Sequence, residues 1–203
     1  MRSRRLSLAV LLALAVALQS FSQIQRSRTP LPVALANRQA SGSIRGTGGS
    51  SGDSIEVTLA KGPNAPEGPF EISIPPGTTL SNGNSGGQDM VVDEIVGKKM
   101  GPNSYSPTSR IVLNGTVSST YLLSAFCVNF EKDNPSVNDA FTAEKPDTTL
   151  ACIMKGSSGL SVPARQAAVW IHTDNVSYSQ MSEKFDVSSS EFAQGQSVVS
   201  RCR

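Results

Sequence analysis

The sequence predicts a mainly β fold, a sandwich or small open barrel, with a short helical C-terminal part. Three observations carry this. Ile55, Val57 and Leu59 alternate with Glu56 and Thr58, as Phe70, Ile72 and Ile74 do with Glu71 and Ser73. Strict alternation places the apolar set on one face of a half-buried strand. Residues 121–130 are apolar on both faces, the mark of a central strand. From Pro163 onward the apolar spacing changes to three and four, the period of a helix.

The remaining elements follow in order. Pro75-Pro76-Gly77 ends the second strand, because proline cannot donate to a ladder and glycine allows a turn. Residues 82–87 are an Asn/Gly/Ser loop and 90–96 a strand. Residues 101–108, rich in Pro and Ser, are a connection. Ile111, Leu113 and Val117 share a face, interrupted by an Asn114-Gly115 turn or bulge. Residues 148–154 read as a further short strand. Pro163 suits the first turn of a helix, where its missing N–H costs nothing. Val162, Gln166, Val169, Trp170 and Thr173 then line one helical face. Ser177 with Gln180, and Ser188 with Glu191, are capping-box pairs for two further helices, the second weakened by Gly195.

The N-terminus divides the chain. Arg2, Arg4 and Arg5 precede an apolar run from Leu6 to Leu18 and a small polar stretch ending near Ser22. This is the pattern of a secretory signal peptide over 1–22, too short for a transmembrane helix. Cleavage is expected after Ser22 or, on the small-x-small pattern at Ala34 and Ala36, after Ala36. Residues 23–54, nearly all Gly, Ser and Thr in their second half, read as a flexible leader. Residues 55–203 then form a single β-rich domain. No later segment is apolar enough to span a membrane. A secreted, periplasmic or cell-surface location follows from the signal.

The charge balance excludes one class of partner. The chain has 18 Lys+Arg against 16 Asp+Glu. Without the three signal arginines this becomes 15 against 16, a net of minus one. No basic stripe of the kind nucleic acid requires is present.

Histidine and cysteine usage narrows the chemistry. The single histidine, His172, would have to serve any Ser-His-Asp triad, with Asp174 or another acid and an unidentified serine. A hydrolase built on His172 is therefore an alternative reading, and no nucleophile-elbow motif supports it. One histidine and three dispersed cysteines do not make a zinc site. Asp133, Asn134, Asn138 and Asp139 carry calcium-type oxygens, but their spacing reads as a solvated turn. No metal and no cofactor is expected. Asp174 or Asn175 would end the first C-terminal helix. Asn114-Gly115-Thr116 and Asn175-Val176-Ser177 match the glycosylation acceptor pattern.

Of the three cysteines, Cys127, Cys152 and Cys202, one must lack an intrachain partner. Cys127 lies in Ala125-Phe126-Cys127-Val128, within the most apolar strand. Gln166 lies in Gln166-Ala167-Ala168-Val169-Trp170, on the best helix. This pair resembles the thioester domains of bacterial surface proteins, whose helix carries Thr-Gln-x-Ala-(Ile/Val)-Trp. Five of those six positions match, Arg165 standing in place of the threonine. Together with Pro75-Pro76-Gly77-Thr78 and Phe126-Cys127-Val128-Asn129, the segments also resemble a wider group of secreted bacterial proteins.

The resemblance implies an internal thioester between Cys127 and Gln166, shielded by Trp170, with Cys152 and Cys202 free to pair. A Cys127–Cys152 disulfide is also open from sequence. It also implies covalent capture of an extracellular partner through a surface amine or hydroxyl. Against this stands a structural reading. A free cysteine is usually a small buried hydrophobe, and a buried glutamine usually satisfies backbone groups. The expectation is a secreted, non-enzymatic binding or adhesion-type domain, with a disulfide-stabilised structural domain as its plainer version.

Overall fold

The computed structural model describes residues 28–203. The basic start, the apolar run and the Ser22 cleavage site lie outside the described residues.

The chain runs β1 (Thr29–Pro30), α1 (Leu31–Ala36), β2 (Ala40–Gly46), β3 (Ser51–Lys61), β4 (Phe70–Ser73), β5 (Thr78–Asn82), β6 (Met90–Gly101), β7 (Ser104–Pro107), β8 (Ile111–Leu113), β9 (Ser119–Cys127) and β10 (Phe141–Pro146). Four helices follow: α2 (Thr148–Gly156), α3 (Val162–Thr173), α4 (Tyr178–Lys184) and α5 (Ser189–Arg201). The fold is mainly β with a helical C-terminal part.

The main sheet has the order β10-β5-β6-β9-β3-β2, with β7 paired to β6 beside β5. Its ends nearly meet. Arg45 bridges Ala140, and Gly46 donates to the Asp139 carbonyl at 3.3 Å, bringing β2 against β10. The sheet is thus a nearly closed barrel, which removes most of the edge an open sheet would present. A small sheet, β1-β4-β8, packs onto it, with β1 parallel to β4. As its two-faced apolar pattern predicts, β9 is central, between β3 and β6, and every residue from Tyr121 to Cys127 is buried.

Four expectations are corrected. Residues 28–54 are not a flexible leader. Arg28 pairs with the buried Glu71 at 2.9 Å, and Leu31 and Ala34 of α1 are fully buried. Strand β2 pairs with β3 along seven residues. Gly42 and Gly46, in the stretch that suggests a linker, are there for close approach. A Cβ on Gly42 would sit 1.8 Å from the Thr58 carbonyl oxygen. The Ala36 cleavage site therefore follows a helix that is part of the core. Residues 148–154 are helical, because Asp147 caps them by accepting from Leu150 N at 2.8 Å. Residues 101–108 include β7, which returns along β6 as a hairpin. Val117 does not share the buried face of Ile111 and Leu113; it is 85% exposed beyond the end of β8.

The helical part is built as the spacing predicts. Both capping boxes form, Ser177 with Gln180 and Ser188 with Glu191. Gly195 is buried in α5 against Ala164, Ala167 and Ala168 of α3, where a Cβ would meet backbone at 2.9–3.0 Å. It marks the close crossing of the two helices. Cys152 of α2 is bonded to Cys202 at the end of α5, which staples the helices together. Cys127 is the free cysteine, so the Cys127–Cys152 alternative is not formed. No described helix is long and apolar enough to cross a membrane.

Candidate functional site

The site lies where β9 ends and α3 crosses it. Val128 donates its N–H to the Asp89 carbonyl at 2.9 Å, on the β6 side. Successive N–H groups of a strand alternate, so the N–H and C=O of Cys127 point to the opposite side, toward β3. There the β3 pairing ends at Ser51, opposite Phe126. Two buried backbone groups would be orphaned, which folded proteins avoid.

Gln166 satisfies both. Its Oε1 accepts from Cys127 N at 3.0 Å, and its Nε2 donates to the Cys127 carbonyl at 2.8 Å. The carboxamide thus acts as a detached peptide unit continuing the ladder. Gln166 is fully buried, as is Cys127. The two residues singled out from sequence are in contact.

Helix α3 is aimed at this spot by its start and by its flanks. Ser161 caps it, accepting from Ala164 N at 3.4 Å, and Pro163 occupies its first turn. Its residues then engage the chain from 126 to 130. The Arg165 guanidinium lies 4.9 Å from the Phe126 ring centre and pairs with Asp93 of β6 at 2.5 Å, both side chains nearly buried. Thr173 Oγ1 donates to the Val128 carbonyl at 2.7 Å. Trp170 meets Phe130 edge-on at 5.1 Å.

The sulfur faces elsewhere. Cys127 Sγ donates to the Ser50 carbonyl at 2.7 Å, from the loop joining β2 to β3. Burial pushes the thiol pKa from 9.0 up to about 12, so it is protonated at neutral pH. Trp170 is 4% exposed and one turn from Gln166. It is wedged between Phe130 and Phe185, with the Lys184 ammonium 4.8 Å above the Phe130 ring. Its indole nitrogen has no hydrogen-bond partner among the described residues. Trp170 thus packs among aromatic rings one turn along α3 from Gln166, while the Ser50 carbonyl lies against the sulfur.

The other sequence candidates lie apart from this chemistry. His172 is half-buried near the end of α3 and makes no hydrogen bond to a serine or carboxylate among the described residues. The Asp174 carboxylate lies instead 2.6 Å from Thr173 Oγ1. Asn175 takes a left-handed conformation (φ 54°) just past α3, the turn expected there. Asp139 is a turn residue: it accepts from Ser136 N at 2.9 Å, which holds its carboxyl below the usual range. No group of three or more His, Cys, Asp or Glu among the described residues is placed to hold a metal. Asn114 is exposed.

Ser50, Asp93, Phe130 and Phe185 belong to the site and were not foreseen. Each is brought in by tertiary packing; only Phe130, three residues past Cys127, had a local signal. Compared with family models, curated proteins and solved structures, the chain has no match.

Proposed function

We propose that this chain is a non-enzymatic binding or adhesion-type domain that works outside the cytoplasm, and that Cys127 and Gln166 form an internal thioester for covalent capture of a partner. The observation that carries the reading is the contact between the chain's one free cysteine and a fully buried glutamine carboxamide. The other two cysteines are bonded to each other.

In the forming step, Cys127 Sγ attacks Gln166 Cδ. The S–Cδ bond forms, the Cδ–Nε2 bond breaks, and ammonia leaves with the thiol proton. The hydrogen bond from Cys127 N to Oε1 polarises the carbonyl and would stabilise negative charge on that oxygen. The Ser50 carbonyl holds the S–H proton beside the sulfur. In the capture step a partner amine or hydroxyl attacks Cδ, the S–Cδ bond breaks, and the thiol takes up the nucleophile's proton. The partner remains joined through Gln166. Water is kept off by the aromatic group around Trp170 and by the loop carrying Ser50.

A second reading is favoured by the same two hydrogen bonds. A glutamine that satisfies the N–H and C=O of a central strand has a complete structural role without further chemistry. Intact mass before and after methylamine separates the two. A native mass short by one ammonia, regained as an added methylamine, supports covalent capture. A mass accounted for by one disulfide and one free thiol, unmoved by methylamine, rejects it.

A further inference from the structure

At the end of the barrel toward which β9 begins, β6 carries Lys98 directly opposite Tyr121 of β9 and Ser106 of β7. Residues paired across a sheet share a face. Tyr121 is 2% exposed and is itself paired with the fully buried Val57, so this is the inward face of the barrel. Lys98 thus lies half-buried on the inward face at the barrel mouth. Its neighbour Lys99, on the outward face, is neutralised by Glu56 at 2.6 Å. The Lys98 ammonium has no ion pair or hydrogen bond among the described residues.

Two open surface depressions meet at this lysine. One, of about 390 Å³, is lined by Lys98, Ser106, Arg110, Asn114 and Tyr121 among others. The second, of about 510 Å³, is lined by Lys98, Lys99, Met100, Ser118 and Thr120 among others. Neither lining contains a carboxylate. Ser106, Asn114 and Ser118 make no side-chain hydrogen bond among the described residues, which leaves their groups free for a ligand. Met100, 70% exposed, supplies an apolar surface between the cavities. A barrel mouth with convergent polar groups is a common place for a small-molecule site.

We propose that this mouth binds an acidic saccharide, with Lys98 pairing its carboxylate or sulfate and the free hydroxyl and amide groups taking its ring hydroxyls. One unpaired cation, beside Arg110 and Lys99 whose charges are met by Glu71 and Glu56, among neutral hydroxyl and amide groups suits a ligand that carries few charges and many hydroxyls. A nucleotide is disfavoured, because the only aromatic ring in the linings, Tyr121, is buried and cannot stack a base.

The test is calorimetric titration of the Cys127→Ser protein, so that the outcome is independent of thioester chemistry. The probes are a hyaluronan tetrasaccharide, a neutral cello-oligosaccharide of equal length, and a thymidine tetranucleotide. Binding of the acidic saccharide, weakened about tenfold or more by Lys98→Gln and unchanged by Lys155→Gln on α2, supports the proposal. Lys98→Gln is checked by thermal melting, and Asn114→Ala provides a second variant expected to weaken the same probe. No binding at millimolar probe, an affinity indifferent to Lys98, or tighter binding of the tetranucleotide overturns it.

Discussion

Gln166 holds Cys127 by its backbone while the sulfur of Cys127 is held by Ser50: the carboxamide lies 3.0 and 2.8 Å from the Cys127 N and O, and Sγ lies 2.7 Å from the Ser50 carbonyl. The thiol and the carboxamide are therefore neighbours fixed by separate partners. Bond formation needs the sulfur to turn away from Ser50, and it removes Nε2, the donor to Cys127 O. The structural and the covalent readings consequently make different demands on the same side chain.

Replacing Gln166 by alanine leaves the Cys127 N–H and C=O buried without partners. The expected destabilisation is about 2–4 kcal/mol, combining two orphaned groups with a lost buried side chain. Gln166→Glu keeps the volume but sets a carboxylate against the Cys127 carbonyl, so it should be no milder. Melting temperatures of the two variants check this; a loss below about 1 kcal/mol in both would show that the carboxamide does not complete the ladder.

The buried thiol should be inert while its neighbours are in place. With its pKa raised from 9.0 to about 12, Cys127 is protonated at pH 8 and should react with iodoacetamide far more slowly than in denaturant. The sign for stability follows from proton counting. Between about pH 9 and 12 the folded chain retains a proton that the unfolded chain releases, so this group's contribution is full below pH 9 and is lost as pH rises toward 12. Chemical denaturation across that window, compared with Cys127→Ala, should show the wild-type curve falling more steeply. A population carrying the thioester would show neither effect, since it has no thiol to titrate.

Arg165 shows why a family-like residue need not fit here. Its guanidinium pairs with Asp93 in a nearly buried position, and Arg165→Thr would leave Asp93 without its cation. The expected loss is about 2–4 kcal/mol, with much of it recovered in Arg165→Thr/Asp93→Ala. Equal losses in the single and double variants, measured by urea denaturation, would show that the ion pair is not what the substitution disturbs.

How much of this was legible follows the range of the interactions. The helical half was read correctly in α3, in both capping boxes and in the Asn175 turn, because those signals lie within four residues of one another. The alternation at Ile55 and Phe70 and the two-faced run through Tyr121 were equally local. Residues 40–54 were misread because Gly42 is selected by a strand contact 16 positions away, to Thr58, which composition alone presents as linker. Residues 148–154 were misread because a short apolar run fits strand or helix, and the deciding Asp147 cap lies just outside it. The contact between Cys127 and Gln166 was reachable only through resemblance. Its other partner, Ser50, comes from a segment that composition assigned to a leader.

The Cys152–Cys202 bond closes a separation of 50 residues and joins α2 to the end of α5. Loop-closure entropy for that length gives about 4 kcal/mol, a shift on the order of 10 °C for a chain of this size. Reduction, or Cys152→Ser, should lower the melting temperature by that order and leave the β-sheet signal intact below it. A shift of only a degree or two would mean that the helices are already held by packing.

Packing of those helices turns on Gly195. In isolation Gly195→Ala should strengthen α5 by up to about 1 kcal/mol, since glycine is a poor helix former. In this fold the added Cβ meets Ala168 N at 2.9 Å and Ala164 O at 3.0 Å, and backbone cannot step aside as a side-chain tip can. The helices must separate, thinning the contact that presses α3, and with it Gln166, onto β9. Overpacking of this kind costs about 1–3 kcal/mol, so steric loss outweighs the propensity gain and the net effect should be destabilising. Faster iodoacetamide labelling of Cys127 in Gly195→Ala would trace the disturbance to the site, whereas a raised melting temperature would show that α5 can shift on α3 without strain.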